Sequence, residues 1–218
     1  MGAYLHLELH GAEATSHDYA ANRVGSFEDV MASASAARAI GKGVLVGTLV
    51  TRSNYRLLAA MSRVVARLGA SGWCVDLPSL TRTDLASFDR VVPRLAMAVP
   101  FALQAIQAAR QLAVPAWLRG APLCLFGPLD KYALAGERRS HAVVCDNCAV
   151  RERCVGVDAQ YLTRFGSSEL RARSSELADR AAVPITTEFA APGRPAYVAP
   201  RGETSSASST GVHLPVAR

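Results

Sequence analysis

Residues 43–50, Gly-Val-Leu-Val-Gly-Thr-Leu-Val, form a continuous apolar run in which every second residue from Val44 to Val50 is β-branched. A run of this length and composition is typical of a β-strand that is buried on both faces, as in a parallel sheet. Such a strand calls for helices above and below it. The run therefore predicts an α/β fold, and the neighbouring segments extend that prediction.

The segments N-terminal to this run predict one strand and one helix. Residues 4–10 alternate apolar with polar side chains, which predicts a strand, and we expect a loop from there through Arg23. Ser26 stands before an apolar series at helical spacing, with Asp29 in capping-box position and Gly41 as the stop signal. This pattern predicts a helix that begins after Ser26.

The segments C-terminal to the run continue the alternation. Residues 55–68 have the apolar spacing of a helix, and residues 72–77 form a short apolar run that predicts a strand. Residues 88–112 are helical in pattern but contain Pro93 and Pro100, so we expect a break or kink there, or a short lead-in before one longer helix. A last short strand follows. Strands that alternate with helices in this way predict parallel α/β units with right-handed crossovers.

The composition is that of a folded protein without a membrane segment. Of 218 residues, 50% are hydrophobic and 19% are charged. No apolar run approaches the ~20 residues that cross a bilayer, and no basic start precedes a hydrophobic core. We therefore expect a cytoplasmic protein with no membrane partner. The net charge is +6, but the arginines are scattered among acidic residues, which favours a solvated surface over a nucleic-acid interface.

The character of the chain changes at Gly120, where prolines, glycines, arginines and cysteines replace the periodic runs. This change predicts an α/β part in residues 1–119 and a small loop-rich cysteine module in residues 120–182. Within the module, Leu170 to Ala182 has the pattern of one more helix. Residues 183–218 are rich in Pro, Gly and Ser, which predicts a flexible tail.

The module contains four of the five cysteines. Cys145 and Cys148 form a C-x2-C pair, which places two sulfurs on one side of a tight turn, and Cys154 follows after five residues as a third ligand. Cys124 could return as the fourth. Four thiolates suit zinc or a [4Fe–4S] cluster equally, and reduced thiols without a metal are the remaining alternative. Cys74 lies in an apolar strand, where a cysteine is most often a small buried hydrophobe.

The order of these motifs resembles a known superfamily. In the barrel part, the motifs are Leu9-His10-Gly11 after a strand, His17-Asp18, Gly25-Ser26-Phe27 at a helix start and Val50-Thr51-Arg52-Ser53-Asn54 after the next strand. In the module, they are Cys124 after Pro122, then Cys145-x2-Cys148-x5-Cys154-x-Gly156, Tyr161, Phe165-Gly166 and Glu169. From Tyr4 to about Leu170 the chain resembles the second half of the barrel of radical S-adenosylmethionine (radical SAM) enzymes, followed by a SPASM/twitch-like extension.

The resemblance implies a partial (βα) barrel of the radical SAM type, followed by a module that holds an auxiliary iron–sulfur cluster. It places the start of the chain at about the fourth strand of a six-unit barrel. The C-x3-C-x2-C motif that binds the catalytic cluster in such enzymes is absent, because no cysteine precedes Cys74. The resemblance therefore implies a truncated or partner-dependent form of an enzyme that modifies a peptide or small molecule. Alone it would not be competent, and a protein partner would supply the missing barrel half.

The resemblance also suggests contacts to S-adenosylmethionine at the carboxyl ends of two strands. Glu8 could accept the ribose hydroxyls, Arg52 could pair with the ligand carboxylate and Asn54 could offer an amide. Alternatively, Asn54 caps the following helix and Arg52 is a solvated surface residue. His10 and His17-Asp18 belong to the same edge, but a loop histidine without a demonstrated neighbour is more often inert, so no residue is assigned as catalytic.

Two further functions compete with this enzyme hypothesis. The first is a non-catalytic interaction module that carries structural zinc or an iron–sulfur cluster, and the missing cluster motif favours it. The second is nucleic-acid binding through a zinc ribbon. The chain has only one C-x2-C pair and lacks a basic run interleaved with aromatic residues, and both features argue against the second function.

Overall fold

The computed structural model describes residues 4–79 and 87–174 and contains a five-stranded parallel sheet. Each strand pairs with the next one in sequence, so the order is β1-β2-β3-β4-β5 with no reversal of direction along the sheet. The strands are β1 (Tyr4–Glu8), β2 (Gly43–Leu49), β3 (Gly72–Asp76), β4 (Ala116–Arg119) and β5 (Ala133–Leu134). The predicted α/β class is confirmed.

Six α-helices connect and cover the strands in the described part of the chain. They are α1 (Ala14–Ala21), α2 (Ser26–Ala39), α3 (Leu58–Arg67), α4 (Phe88–Val91), α5 (Leu95–Gln111) and α6 (Ala159–Phe165). Short 3-10 turns occupy Tyr55–Leu57, Leu123–Leu125, Gly127–Tyr132, Val143–Cys145 and Arg151–Arg153. Within residues 4–79 and 87–174, no helix combines the length and the apolar character needed to cross a membrane.

The two faces of the sheet differ in what covers them. One face packs against α2, α3 and α5 and includes Val44, Val46 and Val75. The opposite face carries a separate cluster of Leu45, Cys74, Trp117 and Leu134, to which no described helix contributes. The prediction that β2 is buried on both faces is confirmed. The expectation that helices cover both of its faces is wrong for the described residues, because helices cover only one face. An apolar pattern reports that both faces lose contact with water, but it does not report which element covers them.

Two local expectations before β2 are wrong. Helix α1 lies in the segment that was expected to be a loop. Its only buried residue is His17, so the segment has no repeating apolar positions from which a helix could be predicted. Ser26 is the first residue of α2 and does not cap it. The carboxylate of Asp18 accepts the N–H groups of Gly25 (2.7 Å) and Phe27 (2.8 Å) instead. Asp29 pairs with an arginine in the preceding loop.

The later boundaries follow the prolines. The helical pattern breaks around Pro93 into the short α4 and the long α5, and Pro100 lies inside α5. The described part of the expected helix from Leu170, which ends at residue 174, is not helical, and its remainder lies outside the described residues, as does the tail 183–218. The expected boundary after residue 119 does not interrupt the core, since β5 pairs with β4 across it.

Candidate functional site

The four cysteines of the module line one cavity. Cys124, Cys145, Cys148 and Cys154 all border it, and none of them forms a disulfide. The short turns at Leu123–Leu125, Val143–Cys145 and Arg151–Arg153 bring these four residues together from three separate segments. The pattern C-x2-C-x5-C places three of these thiols in sequence, whereas the fourth arrives through the turn that follows β4.

Main-chain amides donate hydrogen bonds to sulfurs of this cavity. The N–H groups of Leu123 and Gly156 donate to Cys154 Sγ, each at 3.4 Å. The N–H of Arg173 donates to Cys148 Sγ at 3.3 Å. Amide donors to sulfur stabilise the thiolate, which is the form that binds a metal, and they tune the potential of iron–sulfur centres. The cavity therefore already provides three main-chain donors to the sulfurs of Cys148 and Cys154.

The same environment raises the pKa of two thiols when no metal is bound. Burial raises the pKa of Cys124, and the nearby Cys154 and Cys145 raise it further against the opposing main-chain hydrogen bond from Arg171. Burial also raises the pKa of Cys145, with additional repulsion from Cys154 and Cys148. Thiolates crowded in this way repel one another, so a cation among them would be strongly favoured.

A histidine that the sequence pattern did not single out borders the same cavity. His141 lines it, and its Nε2 is buried without a hydrogen-bond partner in the described structure. A buried polar nitrogen that makes no hydrogen bond costs about 1–3 kcal/mol, so native structures usually supply it with a partner. This nitrogen is therefore a further candidate contact for a polar ligand beside the thiols.

The donor set fits a metal centre in chemistry but not yet in geometry. No set of three or more His, Cys, Asp or Glu side chains in the described ranges is arranged to hold a single metal ion. The cavity between the thiols measures about 10 Å³, which is roughly the room of one water molecule. Either a zinc ion or a larger cluster therefore requires the thiol side chains to adjust when it binds.

A glycine and a short antiparallel bridge shape the loop that carries Cys154. Gly156 has φ +74°, and a Cβ there would lie 2.4 Å from the carbonyl oxygen of Ser140. Val157 pairs with Ser140 across this point, with a 2.8 Å hydrogen bond from the Val157 N–H. Only glycine combines the left-handed backbone with this close approach.

Three side chains fasten the module to the start of α5. The hydroxyl of Tyr161 donates to Glu169 Oε2 (2.6 Å) and accepts the N–H of Leu95 (2.7 Å). Glu169 also forms an ion pair with Arg94 and accepts the N–H of Ala96. Burial alone would raise the pKa of Glu169, but the hydrogen bonds from Tyr161 and Arg94 outweigh it, so the pKa is lowered. The module is thus anchored by a charged, hydrogen-bonded clasp.

A second polar group lies at the carboxyl ends of the strands, on the sheet face without helices. Glu8, Gly47 and Cys74 are in register on neighbouring strands. Asp76, two residues after Cys74 on β3, is in register with Arg119 on β4. Arg119 binds both carboxylate oxygens of Asp76. Burial would lower the pKa of Arg119, but Asp76, Cys74 and Glu8 together raise it. No sequence pattern predicts the Asp76–Arg119 pair, and the apolar run around Cys74 predicts only that this residue is buried.

The three residues suggested for S-adenosylmethionine lie in different surroundings. The Glu8 carboxylate lies over Gly47 at the polar group just described. Arg52, in the β2–α3 connection, donates to the main-chain oxygen of Asp89 in α4. The buried Asn54 side chain accepts the Thr51 N–H and donates to the carbonyl oxygens of Leu49 and His10, without capping the next turn.

The histidines near β1 form a structural network. The main-chain N–H of His10 donates to Nδ1 of His17 (3.1 Å). The neutral His17 ring therefore carries its proton on Nε2 and donates it to Ser26 Oγ (3.2 Å). Burial lowers the pKa of His17 and favours this neutral ring. A ring that donates to a serine cannot also remove its proton, so the pair is not arranged as a nucleophile and base.

A scan of the chain against protein-family models matches none of them, and a search against curated proteins finds no match. The resemblance to radical SAM enzymes therefore rests on the order of the sequence motifs alone.

Proposed function

We propose that this protein binds an iron–sulfur cluster through Cys124, Cys145, Cys148 and Cys154. The observation that carries the proposal is the convergence of all four thiols on one cavity in which main-chain amides donate to sulfur. The buried, unpaired His141 Nε2 at the same cavity supports it. A bound cluster would be a redox-active or structural centre, and the chain's own part is to supply the thiolates and the amide donors around them.

The proposal extends to the type of barrel. Parallel strands in sequential order, with helices on one face and polar residues at the carboxyl ends on the other, are the arrangement of a (βα) barrel segment. Within the described residues β1 is an edge strand. We therefore infer a radical SAM-type enzyme of peptides or small molecules whose barrel is completed by further strands beside β1. Glu8 is then the first candidate contact to S-adenosylmethionine.

The test is metal analysis of the full chain purified without oxygen. We expect iron and inorganic sulfide with a broad visible absorption band, and loss of both when any of the four cysteines is replaced by serine. Cys74→Ser is the matched control, because Cys74 lies on the sheet face, with its Sγ near Asp76, away from the module cavity. It should keep the full metal content.

The other outcomes discriminate among the alternatives. Stoichiometric zinc without iron, lost in the same four variants, would favour the non-catalytic interaction module. Full metal content in Cys124→Ser with loss in the other three would mean that the fourth ligand is another residue, and His141→Phe tests a candidate that lines the same cavity. Absence of both metals from the unsubstituted chain after anaerobic reconstitution would refute the metal centre.

A further inference from the structure

A separate cavity of about 250 Å³ lies between the β2–α3 connection and the start of α5. Three arginines border it, Arg52, Arg56 and Arg94, together with the rings of Tyr55 and Phe165. It shares no lining residue with the cysteine cavity. Pockets that combine a few charged groups with aromatic walls are the usual form of small-molecule sites.

Neighbouring groups orient the three guanidinium groups. Arg94 lies over the ring of Phe165 at 4.7 Å, and its Nε binds Glu169. Arg56 lies over the ring of Tyr55 at 5.0 Å. Arg52 is tied to the main-chain oxygen of Asp89. Cation–π contacts and single hydrogen bonds leave further N–H donors of a planar guanidinium for a ligand, and they reduce the entropy lost on binding.

The charges around the cavity do not balance. Glu169 compensates Arg94, and the carboxylate of Asp89 pairs with Arg164. Among the described residues, neither Arg52 nor Arg56 forms an ion pair with a carboxylate. Two positive charges beside one cavity match a ligand with two negative charges. S-adenosylmethionine carries a net positive charge and does not match.

We propose that this cavity binds a small molecule that carries a phosphate monoester next to an apolar group. A phosphate monoester has a charge of about −1.5 to −2 at neutral pH and three acceptor oxygens, which suits two arginine forks. The apolar part would lie on Phe165 and on Met97, whose side chain is exposed at the rim. The proposal gives Arg52 a different ligand from the one suggested by the sequence, and it does not depend on the metal centre.

The test is calorimetric titration of the full chain with phenyl phosphate, with inorganic phosphate and succinate as comparison ligands. We expect saturable binding of phenyl phosphate, weaker binding of inorganic phosphate, which lacks the ring, and weakest binding of succinate. Arg52→Gln and Arg56→Gln should each weaken phenyl phosphate binding about tenfold, as expected for loss of a charge-assisted contact to phosphate. Both side chains are exposed, so neither change should impair folding.

Arg63→Gln is the matched control. Arg63 is exposed on α3, outside the cavity lining, and its substitution removes the same charge. It should leave the affinity within twofold of the unsubstituted chain. Equal weakening by Arg63→Gln and Arg52→Gln would mean that net charge alone attracts the ligand, and it would overturn the site. Tighter binding of succinate than of phenyl phosphate would overturn the phosphate assignment, and so would the absence of saturable phenyl phosphate binding.

Discussion

Replacement of Tyr161 by phenylalanine tests the clasp between the module and α5. The side chain is 3% exposed, and its hydroxyl makes two hydrogen bonds, to Glu169 (2.6 Å) and from the Leu95 N–H (2.7 Å). Loss of a hydrogen bond to a charged group costs about 1.5–3 kcal/mol, and an unpaired buried N–H costs about 1–3 kcal/mol. Because removal of the hydroxyl creates almost no cavity, we expect a loss of about 2–4 kcal/mol in the free energy of unfolding.

Urea denaturation at neutral pH measures this loss, with Tyr19→Phe as the control. Tyr19 is 82% exposed and should cost less than about 0.5 kcal/mol. The clasp also predicts a pH dependence. The pKa of Glu169 is lowered in the folded chain, so its stabilisation is present above its ordinary value of 4.5 and is lost as the pH falls through the folded pKa. The difference between Tyr161→Phe and the unsubstituted chain should therefore shrink below pH 4.5. A cost of Tyr161→Phe no larger than that of Tyr19→Phe would refute the clasp.

Two further predictions concern His10 and Gly156. Burial, assisted by His17, lowers the pKa of His10 from 6.5 to about 4. Between these two pH values His10 binds a proton in the unfolded chain but not in the folded chain. Acidification from pH 6.5 to pH 4 should therefore lower the free energy of unfolding by up to about 3 kcal/mol through this residue. His10→Gln should reduce the slope of unfolding free energy against pH in that range, and equal slopes would contradict the assignment. Gly156→Ala should destabilise the chain by more than about 2 kcal/mol and lower its metal content, as measured by thermal unfolding and metal analysis. Gly136→Ala is the control and should change neither quantity, because the added Cβ would lie no closer than 3.5 Å to any atom beyond its chain neighbours.

The elements that the sequence predicts are those with a local pattern. The apolar run of β2, the alternation in β1 and the helical spacing of α2, α3 and α5 each repeat over several consecutive residues, and all five elements are present in the structure. Helix α1 could not be predicted from the sequence, because a helix that buries only His17 has no repeating apolar positions. Strand β5 could not be predicted either, because two residues are too few to show an alternating pattern.

The groups that suggest function depend on tertiary structure to a greater degree. The spacing of Cys145, Cys148 and Cys154 predicts a metal centre from the sequence alone, because neighbouring thiols on one loop stay close in any compact fold. Asp76 and Arg119, in contrast, are 43 residues apart, and they meet because their parallel strands are adjacent and in register. Contacts of this kind arise when distant segments pack, which no short-range pattern records. The same holds for His141 and Cys124, which line one cavity, and for Arg94 and Arg52, which line another, since each arrangement depends on how separate segments pack.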